Sequence, residues 1–227
     1  MDILKQHEIF EIEVLNKMNS AKMLEPVVFG GGTMLRLCHE LSRYSADLDF
    51  WFIKKTRPDT FLERLNDGFS KEYEITDSHV KLNTILLEFR SARYPKRLKI
   101  EIRKEMKACD FQEKIAFSRF STTQVILRAH TLEQTMRNKV AAFLDRQEIR
   151  DCFDIEFLLR RGIAFPKLDI GKRAVFQKKL AGLKEIDFKV KLGSIVNGKT
   201  RAYYIANKFS YLVETLNSMG NKFDIVS

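Results

Sequence analysis

Residues 29–52 read FGGGTMLRLCHELSRYSADLDFWF, and the order of residue types leaves few folds open. Three consecutive glycines, Gly30, Gly31 and Gly32, admit backbone conformations and close approaches that side chains forbid, so the run marks a sharp turn. The residues before it, PVVF, have the β-branched and aromatic content of a strand. Those after it, TMLRLCHEL, place apolar residues at helical spacing, with Thr33 as the predicted N-cap. A polar link, SRYSA, leads to DLDFWFI, which reads as a second, buried strand. Residues 26–53 are therefore predicted to run strand, glycine turn, helix, strand.

Around this block, residues 3–19 put Ile3, Leu4, Phe10, Ile12, Leu15 and Met18 at mostly helical intervals, which predicts an amphipathic N-terminal helix. Pro58 opens a further helix that Gly68 closes. From Tyr73 to Ala129 the pattern turns to period-two runs, EYEIT, NTILLEFRSA, RLKIEIRKE and QVILRA, as expected for the rest of a mixed or antiparallel sheet. After Thr131 the chain reads as helical. Leu132, Met136, Val140, Phe143 and Leu144 line one helix, and Phe153, Phe157 and Leu158 a second that stops at Gly162. Two more helices are expected near 169–184 and 200–218. The predicted class is α+β: residues 1–129 form a core with a mixed sheet flanked by helices, and residues 130–227 a helical C-terminal part.

At 227 residues, with 44% hydrophobic content and 18 Phe, the chain can bury a sizeable core. The longest apolar run, LDFWFI, already holds Asp49 and falls far short of the ~20 residues that span a bilayer. The charged start MDILKQHEIFEIE has no secretory hydrophobic stretch, so no membrane association and a cytoplasmic location are expected. Cys38, Cys109 and Cys152 are scattered and odd in number, and the four histidines show no H-x-x-x-H spacing, which argues against a disulfide framework or structural zinc. The net charge of +10, concentrated in RYPKRLKIEIRK and the Lys-rich stretch from Lys167, is either a solubilising surface or a polyanion-binding one, and nucleic acid is the natural polyanion.

On a strand, Asp47 and Asp49 project from one side while Leu48 and Phe50 point to the other. Glu101 lies between Ile100 and Ile102, so a neighbouring strand could add a third carboxylate. Two unit charges ~4 Å apart repel by roughly 4 kcal/mol at an effective dielectric of about 20, so acids converging this way need protons or a cation, and Mg²⁺ favours oxygen ligands. Gly31 and Gly32 allow close backbone approach, and the helix beyond them would aim its N–H groups at an anion. A triphosphate between turn and metal is the substrate arrangement of nucleotidyl transfer. Taken singly, a D-x-D pair is also a solvated surface pair, a glycine run only a turn, and Glu101 a surface residue; their joint order carries the reading. No G-x-G-x-x-G opens the helix and no G-K-[ST] follows these glycines, so the dinucleotide and P-loop readings of this turn fail.

These residues resemble the AbiEii/AbiGii-type toxins of the DNA polymerase β-like nucleotidyltransferase superfamily. Gly31-Gly32-Thr33-Met34-Leu35 matches that family's G-G-T-x-L, Arg43-Tyr44-Ser45-Ala46-Asp47-Leu48-Asp49 matches R-x-S-x-D-[IL]-D, and Lys139, Arg146 and Arg150-Asp151-Cys152-Phe153-Asp154 match its later helical block. The resemblance spans roughly residues 25–161 and stops before Pro166. It implies a polymerase β-like core in which Asp47, Asp49 and Glu101 hold Mg²⁺ or Mn²⁺. It also implies that Gly31, Gly32, Thr33 and Ser45 bind the nucleotide, that Lys139 contacts the triphosphate, and that Asp151 is a further active-site acid; Arg146, a nucleotide-binding candidate, and Arg150 either pair with these acids or reach phosphate. The superfamily's G-S is G-G here, as in the toxins, and Glu101 stands where an aspartate is commoner. The implied activity moves a nucleoside monophosphate from an NTP to RNA, with tRNA expected, in a toxin–antitoxin or phage-exclusion pair that includes an antitoxin protein. The competing readings are a small-molecule, antibiotic-type nucleotidyltransferase and a catalytically inactive relative that binds RNA or protein. From the residues alone, Lys139 equally flanks an apolar helix face, Asp151 equally serves as an N-cap, and His39 and His130 read as ordinary surface or core residues.

Overall fold

The computed structural model describes residues 2–221; the last six residues of the predicted C-terminal part, 222–227, lie outside them. The chain divides into two compact units between Thr131 and Leu132.

In the first unit, helix α1 (Ile3–Ser20) starts at Asp2, whose carboxylate accepts the Leu4 N–H. It is followed by β1 (Val27–Gly30), α2 (Gly31–His39), β2 (Asp47–Phe52) and α3 (Pro58–Phe69). Five strands follow: β3 (Glu74–Val80), β4 (Thr84–Arg90), β5 (Leu98–Arg103), β6 (Phe111–Phe117) and β7 (Gln124–His130). The seven strands form one mixed sheet in the order β3-β4-β5-β2-β1-β7-β6. β2 pairs antiparallel with β1 and parallel with β5, and β1 is parallel to β7.

The strand alternation works as the sequence predicts: Leu48, Phe50, Ile100 and Ile102 are fully buried, while Asp47, Asp49 and Glu101 on the opposite face are half-buried. The buried face is aromatic. Phe29 stacks on Phe50 with centroids 5.1 Å apart, and Phe10 of α1 lies within 6 Å of Tyr73, Phe89 and Tyr94, contacts that add to the area buried.

The second unit is helical: α4 (Leu132–Arg146), α5 (Ile149–Arg160), α6 (Ile170–Ala181), a π-helical turn (Asp187–Leu192), α7 (Gly198–Asn207) and α8 (Ser210–Asn221). Among the described residues no helix is long and apolar enough to cross a membrane.

Three local expectations change. The helix expected at 200–218 is two helices, because Lys208 adopts φ 50° and turns the chain so that Phe209 is buried beside Tyr204 and Phe188. Strand β6 is absent from the period-two runs read in the sequence, because an edge strand with most of its residues exposed has no need of apolar alternation. Helix α2 starts at Gly31 with Gly30 as its N-cap, so Thr33 lies inside the helix and is not the cap.

Candidate active site

Register places the glycine turn beside the acid strand, since Gly30 is the cross-strand partner of Asp49. Gly31 has φ +73°, and a Cβ there would overlap Asp49 Oδ2 and sit 3.0 Å from Asp49 Cβ. The position thus demands glycine on two counts, backbone conformation and space. A Cβ on Gly32 would overlap the Arg43 guanidinium and lie 2.9 Å from Ser45 Oγ. Asp49 therefore sits at the first residue of α2, where the helix dipole favours negative charge, and Gly30 offers no side-chain cap to compete for the first-turn N–H groups.

Thr33, predicted to bind phosphate, is fully buried and its hydroxyl donates to the Asp47 carbonyl at 2.6 Å. That side chain ties α2 to the start of β2. Ser45 is half-buried beside Gly32. Arg43, read as part of a polar link, is 2% exposed, and its Nη1 donates to the Tyr44 carbonyl.

The parallel β2–β5 register sets Asp47 opposite Lys99 and Asp49 opposite Glu101. The Lys99 ammonium lies 3.0 Å from Glu101 Oε1 and 3.4 Å from Asp47 Oδ2. Burial opposes its charge, but the hydrogen bonds and negative charge of Glu101 and Asp47 outweigh that and raise its pKa above the ordinary lysine value. The three acids are not gathered into a ready metal centre: among the described residues no cluster of three His, Cys, Asp or Glu is spaced to hold an ion. Asp47 and Glu101 share a lysine instead, and Asp49 faces the glycine turn. The donor set nevertheless fits Mg²⁺ or Mn²⁺, because it consists of carboxylates and two of them already converge on one cation.

Behind the strand is a buried polar layer. His7 Nε2 lies 3.0 Å from the Ala46 carbonyl and 3.7 Å from Glu11 Oε1. Burial lowers the His7 pKa, so the neutral ring donates Nε2–H to that carbonyl. Burial, reinforced by the charges of Glu8 and Asp47, pushes the Glu11 carboxyl well above the usual range. Glu8 is paired: it accepts from Arg36 Nε at 2.8 Å and from Ser118 Oγ at 2.6 Å.

In the second unit, Lys139 is buried and donates to Asp151 Oδ1 at 3.2 Å and Asp154 Oδ2 at 2.6 Å. Arg146 forks onto both Asp151 oxygens, Nε at 2.8 Å and Nη2 at 2.9 Å. Asp151 is not an N-cap, a position held by Glu148, but a fully buried first-turn acid of α5. Lys139, Arg146 and Asp151 are thus one brace between α4 and α5, and Arg150 is exposed. His130 is buried against Trp51 with ring centroids 4.7 Å apart, and His39 is buried as well.

Lys99 and the His7–Glu11 pair were not singled out in the sequence, where Arg43 entered only as part of the polar link and of the R-x-S-x-D-[IL]-D match. Only Lys99 carried a signal: it precedes Glu101 by two residues, so on a strand it shares the acid's face.

A search of curated proteins finds no match in sequence. Among solved structures, a putative nucleotidyltransferase from H. pylori is similar at TM-score 0.57 and 20% identity, covering 96% of this chain and 97% of that one. JHP933 from Helicobacter pylori is similar at TM-score 0.55 with the same identity and coverage. MenT4, a nucleotidyltransferase toxin from Mycobacterium tuberculosis H37Rv, matches at TM-score 0.48 and 15% identity over 91% of this chain and 85% of that one. The family model described as nucleotidyl transferase AbiEii toxin, type IV toxin–antitoxin system, matches residues 14–197, well over half of the sequence. The chain therefore belongs to the AbiEii family of nucleotidyltransferase toxins.

Proposed function

We propose that this toxin nucleotidyltransferase moves a nucleoside monophosphate from an NTP to an RNA acceptor, tRNA by expectation. It would do so in the cytoplasm with Mg²⁺ or Mn²⁺, opposed by a cognate antitoxin. The observation that carries the reading is the register that sets the glycine turn against Asp49 while Asp47 and Glu101 converge on a cation one strand away.

In this reading the backbone N–H groups at Gly31 and Gly32, at the positive end of α2, receive phosphate oxygens, and Ser45 Oγ adds a donor beside Gly32. Asp47, Asp49 and Glu101 would hold the divalent ion, which when bound supplies positive charge at the triphosphate and acidifies the attacking hydroxyl. Thr33 acts from behind by fixing the Asp47 backbone. Nucleotide contact by Lys139 and Arg146, and Asp151 as a further active-site acid, rest on the resemblance alone, and in the structure the three side chains brace α4 to α5. RNA is favoured over a cationic small acceptor by the net charge of +10, which gains from counterion release on a phosphate backbone.

The test is incubation of the purified protein with each α-labelled NTP, total tRNA and Mg²⁺, with Asp49→Asn as the blank. Label should appear on tRNA with the wild type only, and the thermal midpoint of the variant should stay within a few degrees, because the half-buried Asp49 carboxylate is exchanged for an isosteric amide. A folded wild type that labels nothing with any of the four nucleotides would refute the proposal.

A further inference from the structure

We infer that Lys99 is a built-in counter-cation which competes with the divalent ion for Asp47 and Glu101, so that the metal enters only as the ammonium leaves. The inference rests on the reading that these acids hold a divalent ion, and it concerns a residue outside the family motifs.

The strand geometry makes the competition unavoidable. Lys99 and Glu101 are two residues apart on β5 and project from the same face, and Asp47 is the direct cross-strand partner of Lys99. The ammonium lies 3.0 Å from one carboxylate and 3.4 Å from the other. It therefore fills the space into which both acids point. A magnesium ion sits at about 2.0–2.1 Å from its oxygens, so an ion bound between these two carboxylates would lie within contact distance of the ammonium, with like charges repelling. All three side chains remain 28–37% exposed, so Lys99 has an open path to water and the exchange needs no rearrangement of the sheet. The device has a plain physical use. Without a cation the clustered acids would repel one another across the centre of the sheet, and the resident lysine relieves this at the expense of metal affinity.

The measurement is Mn²⁺ binding by nucleotide-free protein at fixed pH and ionic strength, read from the free-Mn²⁺ electron paramagnetic resonance signal. Lys99→Met should bind about tenfold more tightly than wild type, equivalent to about 1.4 kcal/mol, which is the scale of two half-exposed ion pairs. Lys99→Arg should stay as weak as wild type, and Asp47→Asn should bind weakly with or without the Lys99 change. Arg103→Met separates occupancy from net charge: it removes the same charge from an exposed position on the same face of β5 and should shift affinity less than about twofold. Thermal melts of each variant verify the fold. The inference is overturned if Lys99→Met binds no better than wild type, if Arg103→Met improves binding as much, or if no variant binds Mn²⁺. The labelled-tRNA assay on wild type reads the functional proposal separately, so transfer with an unchanged Lys99→Met affinity would sink this inference alone.

Discussion

Replacing Lys139 by Met tests whether the second unit depends on a buried charge network. The Lys139 side chain is 9% exposed, and its ammonium is 2.6 Å from Asp154 Oδ2 and 3.2 Å from Asp151 Oδ1, both on side chains with no exposure. Methionine matches the volume but leaves those carboxylates short of one cation. Removing one partner of a buried pair costs about 3–5 kcal/mol, since the remaining charge stays desolvated. Asp151 keeps the Arg146 fork, with bonds of 2.8 and 2.9 Å, so the lower end, about 3 kcal/mol, is expected. For a chain of this size that corresponds to a fall in Tm of about 6–12 °C. Urea denaturation followed by circular dichroism gives the free energy, and Asp154→Asn added to Lys139→Met should recover part of it by removing one of the two carboxylate charges that Lys139 faced. A loss below about 1 kcal/mol, accompanied by a large fall in nucleotide affinity, would refute the bracing role and return Lys139 to direct nucleotide contact.

Gly31→Ala should lose about 2 kcal/mol and abolish nucleotidyl transfer, because the left-handed backbone costs an alanine about 1–2 kcal/mol and its Cβ also displaces Asp49. Gly162→Ala, with φ +81° and nothing within 4 Å, isolates the backbone cost alone; equal losses at the two sites in parallel melts would remove Asp49 from the glycine turn. Glu11→Gln should flatten the dependence of stability on pH. The folded-state pKa of Glu11 is raised by burial, so the unfolded chain releases its proton first, and wild-type stability falls as pH rises from the ordinary carboxylate range toward the folded pKa. His7 contributes the opposite slope: its lowered pKa means that stability is lost as pH falls below the ordinary histidine value toward the folded one. Melts of Glu11→Gln and wild type across pH 4–8 should diverge increasingly at the alkaline end, and parallel curves would show that Glu11 is ionised in the folded protein.

Properties that depend on local alternation were legible in the sequence. The shared face of Asp47 and Asp49, and the burial of Leu48 and Phe50 opposite them, follow from a period of two on any strand. The face of Glu101 was legible too, from the alternation in RLKIEIRKE, but its place opposite Asp49 comes from strand pairing. The start of α2 was not legible at single-residue precision: three glycines offer three turn positions, and the contact with Asp49 selects Gly31. The break at Lys208 was hidden because a left-handed lysine is unusual, and here the buried Phe209 sets the chain's direction. Lys99 shows a different limit. Its face could be read by counting residues, but its partners depend on the parallel β2–β5 register, a long-range property with no local signature.

The same register explains how a site can be firm and exchangeable together. The backbone at the start of β2 is held from behind by buried groups: His7 donates to the Ala46 carbonyl and Thr33 to the Asp47 carbonyl, both side chains being at most 1% exposed. Bonds in that dry layer are costly to break and so fix where the acids emerge. In front, Asp47 and Glu101 meet Lys99 through half-exposed ion pairs, which are individually weak. Rigidity and lability are thus assigned to opposite faces of one strand. Substitutions at His7 or Thr33 should therefore alter the geometry of the acids, whereas substitution at Lys99 should alter only what they hold.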